Sequence, residues 1–512
     1  MYTRRLFLLL ISLLFLLTGC AGTGLPITDV SPDVTLPPAE VTYLAPIGDA
    51  ALEYKDTATL YLPSHDGIGL ADIETDISFS LVRPAAETVM RSLISQTGSR
   101  EYTSLGGEVR LSLYGANPVE ISRNVATVNL SASALQLDRQ RLYIACQAIA
   151  NTLTAIDGID YVNVLVVDKP VGLDIANTLP MGALKANSSR DLSSVYEQLL
   201  AKRVPAGSQA AVPLSAYVAL YFPLQNSDGL VCEARPISFE NQQLPEMVTA
   251  ILRALAAGPS DSQIRSPQLP LLADLLTTTP VLQDNPSSGS QIIALDFAHN
   301  LDDMLDAYGI TRSQCTASLC YTLSSFFPNV SGISLSINGT PVDALYLTEE
   351  DASGEESDVF LRAAFSGLIY DYCTLYFADP ETQKLAPSSR AIAYYQRTNP
   401  RVLLCELAKG PQAGDSHPDL LPVMDEKSIT DTTLLGFALS DHTLLVNFAP
   451  SFSDLGKGIS PQQERLLAYA LVNSLCMDER VRSICFFQSG TQFDGFTDEI
   501  YWRGLFNPLV LE

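Results

Sequence analysis

The sequence has few charged residues and few histidines, and these shortages exclude several classes of protein. Only 17% of the 512 residues are charged, and 57 Asp and Glu outnumber 31 Lys and Arg, which gives a net charge of -26. Nucleic acid repels a chain this acidic, so we expect no nucleic-acid partner. The histidines are His65, His299, His417 and His442. No two of them are four residues apart, and no Cys-x2-Cys pair occurs, so the sequence predicts neither a metal site nor a cofactor.

Long apolar runs are missing beyond the first twenty residues, so we expect no membrane-spanning segment there. The apolar stretch 6–17 follows two arginines and leads into Leu-Thr-Gly-Cys at 17–20. A basic start and a short apolar core are typical of a secretory signal, and the ending resembles the bacterial lipobox. We therefore predict a lipoprotein signal peptide at 1–19 and lipidation of Cys20. The alternative is an uncleaved membrane anchor with a chance cysteine.

The N-terminal segment predicts the cellular location of the protein. The resemblance to the lipobox implies a diacylglycerol thioether on Cys20, and hence a cell-membrane location on the extracytoplasmic face. Because the chain is acidic, the acyl chains must supply the attachment to an anionic membrane. The segment 20–56 is rich in Pro, Thr and Gly and has no helical or strand period. We interpret it as a flexible tether.

Beyond the tether, the sequence repeats three times at a period of about 155 residues. Each copy opens with a short strand, at 59–63, 219–223 and 374–378. A first helix follows at 85–94, 245–257 and 401–409. A second strand recurs at 128–131, 295–298 and 446–449. Next comes a second helix with an apolar stripe, and then a third strand that ends at Asp168-Lys169, Asn338-Gly339 or Ser489-Gly490.

This order of elements predicts an α+β fold in which two helices pack on one small sheet in each copy. The predicted boundaries of the three modules are 57–190, 214–347 and 367–512. An acidic run separates the last two modules, and we interpret 348–366 as a solvated linker. Leu60, Leu220 and Leu375 hold the same place in the three opening strands, and we expect them to be buried equivalently.

The repeated pattern resembles the GerMN-domain family of sporulation and spore-germination proteins. The Leu-Tyr-Phe-Pro strand at 220–223 and the helix end Leu-Arg-Ala-Leu-Ala-Ala-Gly-Pro at 252–259 carry the resemblance, together with the Asn-Gly turn at 338–339. The resemblance implies small α+β modules similar to ring-building motifs of envelope machines, in proteins that are commonly envelope lipoproteins. It implies no catalytic residues. Three copies depart from the one or two that are usual in the family.

Eight cysteines remain after Cys20, and two interpretations of them are open. An even number outside the membrane favours disulfides, and Cys476 with Cys485 is the pair best placed to join a helix end to the next strand. Most of the eight, however, occupy apolar positions that differ between copies. That distribution favours free thiols packed as small hydrophobic groups.

One segment resembles part of a hydrolase site. Gly-Asp-Ser-His-Pro at 414–418 is similar to the Gly-Asp-Ser block of some esterases. A triad can be written with Ser416 as nucleophile, His442 as base, and Asp441 or Asp454 as the orienting acid. The segment has no strand running into it, and such polar sequences are usually loops. We therefore expect no enzyme activity.

A polar residue recurs in the second strand of every copy, as Asn129, Asp296 and Asn447. A shared ligand contact is one explanation. The other is a solvent-facing position, or a hydrogen bond to a neighbouring turn.

These observations favour a non-enzymatic envelope scaffold whose partners are the membrane, through its lipid, and other envelope proteins. By resemblance it would act in sporulation or germination. Exposed sheet edges in repeated modules provide a physical basis for such contacts. The alternatives are a small-molecule-binding lipoprotein that uses a cleft between modules, and a serine hydrolase that uses Ser416.

Overall fold

A computed structural model describes residues 43–204, 210–285, 289–342, 359–478 and 480–509, with only the backbone of Ala50 and Ala51. The predicted signal peptide, Cys20, the tether up to residue 42 and residues 348–358 of the predicted linker lie outside the described residues. Within the described part, the same order of strands and helices occurs three times.

The first copy follows a short strand, β1 (Gly48–Ala51), which belongs to a different sheet. In chain order the copy consists of β2 (Glu53–Pro63), β3 (Leu70–Ser80), α1 (Ala85–Ser95), β4 (Val119–Ser122), β5 (Val125–Leu130), α2 (Arg139–Leu153), β6 (Tyr161–Val166) and β7 (Lys169–Pro170). A connecting helix, α3 (Leu192–Leu200), leads to the second copy.

The second copy has the same plan with two additions. Its elements are β8 (Leu214–Pro223), β9 (Leu230–Phe239), α4 (Leu244–Ala256), β10 (Val281–Asp284), β11 (Gln291–Phe297), α5 (Leu301–Ala307), α6 (Arg312–Ser324), β12 (Val330–Ile337), β13 (Thr340–Pro341) and β14 (Val359–Leu361). The added elements are the short helix α5 and the strand β14. Because β14 pairs with β12, the second copy extends past the predicted boundary at residue 347.

The third copy returns to the plan of the first. Its elements are β15 (Tyr370–Ala378), β16 (Leu385–Ala393), α7 (Pro400–Ala408), β17 (Leu434–Ser440), β18 (Thr443–Phe448), α8 (Pro461–Leu475), β19 (Ser483–Gln488) and β20 (Thr491–Gln492). Gly258 and Gly410 follow two residues after the last residues of α4 and α7, and their φ values of 74° and 68° suit glycine just beyond a helix end.

The second helix of every copy begins at a side-chain cap. Asp138 accepts a hydrogen bond from the Arg141 N–H at the start of α2. Thr311 and Ser460 form capping boxes with glutamines three residues later, at the starts of α6 and α8. Such caps satisfy N–H groups that have no partner inside the helix.

Each copy contains two sheets, whereas the sequence predicted one. The opening two strands pair along their length with each other, as β2–β3, β8–β9 and β15–β16, and only single bridges from Leu230 to Ile369 and from Ala378 to Leu421 extend beyond these hairpins in the described residues. The second sheet of the first copy has the order β4-β5-β6-β7, with β5 and β6 parallel. The fold is α+β, as predicted, but the prediction of a single sheet is wrong.

The second helix explains why the opening strand stays separate. The backbone N–H of Tyr61 in β2 donates to the Thr152 hydroxyl of α2 at 2.9 Å. The equivalent bonds run from Tyr221 to Thr322 and from Tyr376 to Ser474, at 3.1 and 3.0 Å. A helix therefore covers the outer edge of each opening strand near this tyrosine, where another strand would otherwise pair. On the inner side, Leu60, Leu220 and Leu375 are each 0% exposed, as the repeat predicted.

The recurring polar residue of the second strand holds the turn after the third strand. Asn129 accepts a hydrogen bond from the Asp168 N–H at 3.0 Å. Asp296 accepts one from the Gly339 N–H at 2.8 Å, and Asn447 one from the Gly490 N–H at 3.3 Å. Each contact lies at the turn pair that the sequence identified. The structure thus supports the hydrogen bond to a neighbouring turn, rather than a ligand contact or a solvent-facing position.

The predicted tether is too long at its C-terminal end. Strand β1 pairs in parallel with β17 of the third copy, and β2 begins at Glu53. Asn447 donates to the Pro46 carbonyl oxygen at 2.8 Å, and Arg401 forms an ion pair with Asp49 at 2.8 Å. The segment from residue 43 is therefore folded, because side chains of the third copy supply partners that local sequence patterns do not reveal.

All eight cysteines after Cys20 are free, so Cys476 and Cys485 are not joined. Six of them are buried and two are half-buried. Burial raises the pKa of the Cys146 and Cys315 thiols to about 12, which keeps them protonated and unreactive at neutral pH. The interpretation as packed thiols fits this arrangement.

Candidate functional site

The residues of the hypothetical triad are engaged separately. The Ser416 hydroxyl accepts a hydrogen bond from the Ser389 N–H at 2.8 Å. His442 and Asp441 form the two-residue turn between β17 and β18, both with positive φ, and the His442 Nδ1 atom lies 3.0 Å from the Arg480 carbonyl oxygen. No hydrogen bond joins Ser416 to His442 among the described residues, and Asp454 pairs with Lys457. This geometry provides no nucleophile–base pair.

The segment around Ser416 has a structural role in the third copy. The buried Asp415 carboxylate accepts hydrogen bonds from Nε and Nη2 of Arg390 at 2.8 and 2.6 Å. Arg265 of the second copy donates to the carbonyl oxygens of Asp415 and Ser416. These bonds attach the loop to β16 and to the neighbouring copy. The segment around Ser416 thus helps to hold the second and third copies together.

A metal centre is not evident. Within the ranges that the structure describes, no group of three or more His, Cys, Asp or Glu side chains is arranged to hold an ion.

A buried ion pair joins the first and second copies. Arg362 Nη2 donates to Glu120 Oε2 at 2.9 Å, and their side chains are only 4% and 12% exposed. The Arg362 guanidinium also lies 3.9 Å from the centre of the Tyr321 ring and donates to the Ser325 hydroxyl at 2.6 Å. Burial raises the pKa of Glu120, while Arg362 acts in the opposite direction. Removing either partner would leave a buried charge without compensation.

Arg362 also corrects the prediction of a solvated linker at 348–366. Phe360, Arg362 and Phe365 are all buried. Strand β14 joins the second sheet of the middle copy, and the arginine that follows it reaches β4 of the first copy. The acidic residues before this point suggested a solvated segment, because charge composition does not show which single cation pairs with a distant carboxylate.

Arg123 connects all three copies. It lies in the turn between β4 and β5, and its guanidinium binds Asp261 of the second copy at 2.8 Å. Its backbone N–H donates to Asp371 of the third copy at 3.2 Å, and its guanidinium carbon lies 5.3 Å from the centre of the Tyr372 ring. The sequence analysis missed this residue. No local pattern marks it, because its partners lie more than a hundred positions away along the chain.

A cleft of about 590 Å³ separates the first copy from the third. Its walls are similar on the two sides, because each copy contributes the base of its opening strand and the C-terminal end of its second helix. The strand residues are 56–59 and 372–374, and the helix ends contribute 155–157 and 477–478. Arg397 and Arg480 also line it. This cleft is the candidate site, and the sequence analysis anticipated a cleft between modules without placing it.

Two strand edges in this cleft have backbone N–H and carbonyl groups that no hydrogen bond from outside their hairpin reaches among the described residues. The bond from the Tyr61 N–H to α2 shows that odd-numbered residues of β2 direct their N–H and carbonyl groups away from β3. The Thr59 backbone therefore faces outward, at a point beyond the last turn of α2. The same alternation from Tyr376 places the Thr374 backbone on the outer edge of β15. No hydrogen bond from outside the hairpin reaches the Thr59 or Thr374 backbone in the described part of the chain.

The corresponding edge of the second copy is covered. There, the Tyr217 carbonyl oxygen of β8 accepts a hydrogen bond from the Ala183 N–H at 2.9 Å. Ala183 belongs to an extended segment whose next residue, Leu184, forms an antiparallel bridge with Val162 of β6. Tyr217 stands four residues before Tyr221, as Thr57 stands four before Tyr61. The same strand edge thus accepts extended backbone in one copy and is open in the other two.

Comparisons with known proteins match the first two copies of the repeat. A family model described as "Germane: Sporulation and spore germination" matches residues 59–172 and 219–343. Among solved structures, the tandem GerMN domains of the sporulation protein GerM from Bacillus subtilis are similar, at 18% identity and a TM-score of 0.21, over 60% of this chain and 97% of that one.

The first GerMN domain of that protein is also similar, at 12% identity and a TM-score of 0.20, over 27% of this chain and 96% of that one. A search of curated proteins finds no match. Over residues 59–172 and 219–343, the chain is therefore similar to the family described as Germane, of sporulation and spore germination.

Proposed function

We propose that this protein is a non-enzymatic, lipid-anchored scaffold of the cell envelope that holds other envelope proteins in place during sporulation or germination. The observation that carries the proposal is the joining of three similar modules into one unit by polar contacts between the copies. Glu120 with Arg362, and Arg123 with Asp261 and Asp371, leave the copies fixed relative to one another. A scaffold requires such fixed spacing between the surfaces that it presents.

The lipid anchor in this proposal rests on the sequence at residues 17–20. No helix among the described residues has the length and apolarity needed to cross a bilayer.

Replacement of Cys20 by Ser in the native organism tests the anchor. We expect the variant to remain an unprocessed precursor or to be released as soluble protein, with a loss of sporulation or germination efficiency. A second strain that carries Ser12→Ala in the apolar stretch is the matched control, because it changes the signal without removing the thiol. Normal processing and membrane retention of the Cys20→Ser protein would disprove the lipid anchor.

Crosslinking in intact cells, followed by purification from membrane extracts, tests the scaffold. We expect the wild-type chain to capture defined envelope proteins, and the Glu120→Ala variant to lose some of them when the copies no longer hold their spacing. A wild-type chain that captures no envelope protein in sporulating or germinating cells would contradict the proposal. The small-molecule alternative receives less support, because the distinctive groups of the cleft are strand edges rather than a long apolar lining.

A further inference from the structure

We propose that the cleft between the first and third copies binds an extended, positively charged peptide segment of a partner protein, which adds as a strand to the outer edge of β2. This inference rests on the proposed scaffold function and specifies its contact site. The cleft, the strand edge and the charges of the lining residues each contribute to it.

The strand edge provides the backbone partners. The Thr59 N–H and the carbonyl groups of Thr57 and Thr59 share the outer edge of β2 in the alternation set by the Tyr61 hydrogen bond. The Thr57 N–H donates to the carboxylate of its neighbour Asp56 at 2.8 Å. An added strand would pair with these groups, because β-strand addition satisfies an open row of donors and acceptors.

The second copy shows which kind of occupant this edge accepts. At the equivalent point of β8, the chain's own extended segment donates from Ala183 to the Tyr217 carbonyl oxygen. Glycine at 182 allows this approach, since a Cβ atom there would lie 2.6 Å from the same oxygen. An extended backbone with a small residue at the closest point therefore fits the edge. The same geometry at the edge of β2 indicates an extended peptide as the occupant of the cleft.

The charges predict a basic occupant. Arg397 and Arg480 in the lining are already paired, with Asp371 and with Asp478. Asp56 and Asp157 are exposed in the same cleft, and the salt bridges of the described residues include neither. The free charge of the cleft is thus negative, on a chain whose net charge is -26. Lysine or arginine side chains on alternate residues of an added strand would compensate it.

Binding of synthetic peptides to the purified full chain tests the proposal. The probes are a fluorescent ten-residue peptide of alternating Lys and Val, its Glu–Val counterpart, and the Lys–Val peptide with N-methyl groups on alternate residues. We expect the Lys–Val peptide to bind and the Glu–Val peptide not to bind. The N-methylated peptide should lose at least about tenfold in affinity, because it keeps the charge but cannot form a ladder. Equal affinity for the N-methylated peptide would overturn strand addition.

Variants of the protein locate the site. The double variant Asp56→Asn with Asp157→Asn should weaken the Lys–Val peptide about fivefold to tenfold, since each exposed charge pair contributes little. The matched control is Asp72→Asn, because Asp72 is an exposed carboxylate on β3 of the same hairpin, outside the cleft. Equal weakening by both changes would indicate general attraction to an acidic protein and would overturn the site.

Amide hydrogen exchange detects backbone pairing, which electrostatic attraction alone would not produce. Peptide binding should slow exchange of the Thr59 amide and leave the Tyr217 region of β8 unchanged, since that edge is already covered. Protection confined to other strands would overturn the proposal. Failure of the scaffold is distinguishable: a double variant that still captures envelope proteins in cells but no longer binds the peptide would disprove the cleft alone. Peptide binding without any captured partner would disprove the scaffold.

Discussion

The second helices of the outer copies and of the middle copy hold the same place in the fold but have different neighbours. In the outer copies, Asn151 and Asn473 precede the hydroxyl that binds the opening strand, and each accepts a backbone N–H from the returning chain at 2.9 Å. In the middle copy the residue is Tyr321, and the buried Arg362 lies against its ring. An outer copy thus completes its own helix surface, whereas the middle copy uses that surface to contact the first copy.

This difference shows how a repeat becomes an assembly. The Asn–backbone contact is local and satisfies each outer copy by itself. The Tyr–Arg arrangement requires Glu120 from another copy, so the middle copy depends on its neighbour.

Replacement of Glu120 by Ala should destabilise the contact between the first two copies by about 3–5 kcal/mol, because Arg362 would remain buried without its carboxylate. Chemical denaturation, monitored by far-UV circular dichroism, measures the loss of stability. Lys457→Ala is the control: its pair with Asp454 is exposed, at 78% and 66%, so the expected change is under about 1 kcal/mol. Equal effects of the two changes would refute a specific role for the buried pair.

Replacement of Gly436 by Val should displace β1 from the third copy. A Cβ atom at 436 would lie 2.5 Å from the Gly48 N atom, and the crowding should cost about 1–3 kcal/mol. Limited proteolysis should then cut between residues 43 and 52. Gly367→Ala is the control, since no atom lies within 4 Å of a Cβ built there. A protected segment in the Gly436→Val protein would show that β1 does not depend on this edge.

Replacement of Asn447 by Ala should cost about 1–3 kcal/mol, because the Pro46 carbonyl oxygen and the Gly490 N–H both lose a partner. Asn129→Ala removes the equivalent turn contact in the first copy but no contact with β1. The comparison isolates the share due to the N-terminal segment. If proteolysis near residue 46 rises equally in both variants, Asn447 has no special role in docking β1.

The pH dependence of stability should distinguish Glu120 from Gln. The folded-state pKa of Glu120 is raised by burial, so the folded protein binds more protons than the unfolded chain above about pH 4.3. Its contribution to stability is therefore complete below that pH and is lost as the pH rises through the folded pKa. The stability of the wild type relative to Glu120→Gln should decline over this window. A relative stability that rises with pH would contradict the direction of the shift.

Replacement of Ser416 by Ala should have the smallest effect, about 1 kcal/mol from the lost Ser389 contact. Fluorophosphonate probes should not label the wild-type protein. Asp415→Asn tests the neighbouring position and should be more damaging, because Arg390 would lose its buried carboxylate. Labelling at Ser416 that disappears in His442→Ala would restore the hydrolase hypothesis.

Local patterns were enough for the elements and for some contacts inside a copy. The helices predicted at 85–94, 245–257 and 401–409 lie within about one residue of α1, α4 and α7, since apolar spacing and Gly-Pro ends are local signals. The turn contacts of Asn129 and its equivalents were among the open alternatives. The separation of each copy into two sheets was not predicted, because it depends on a helix far along the chain.

The sequence by itself determined the α+β class and the threefold repeat, because period, capping residues and turn pairs are encoded within short segments. Only the tertiary structure decided that Arg362 is buried, that β1 joins the third copy, and that a cleft with an open strand edge lies between the first and third copies. Each of these joins residues more than two hundred positions apart. Contacts between residues so far apart in sequence depend on how whole copies pack against one another. Local sequence patterns carry no information about that packing.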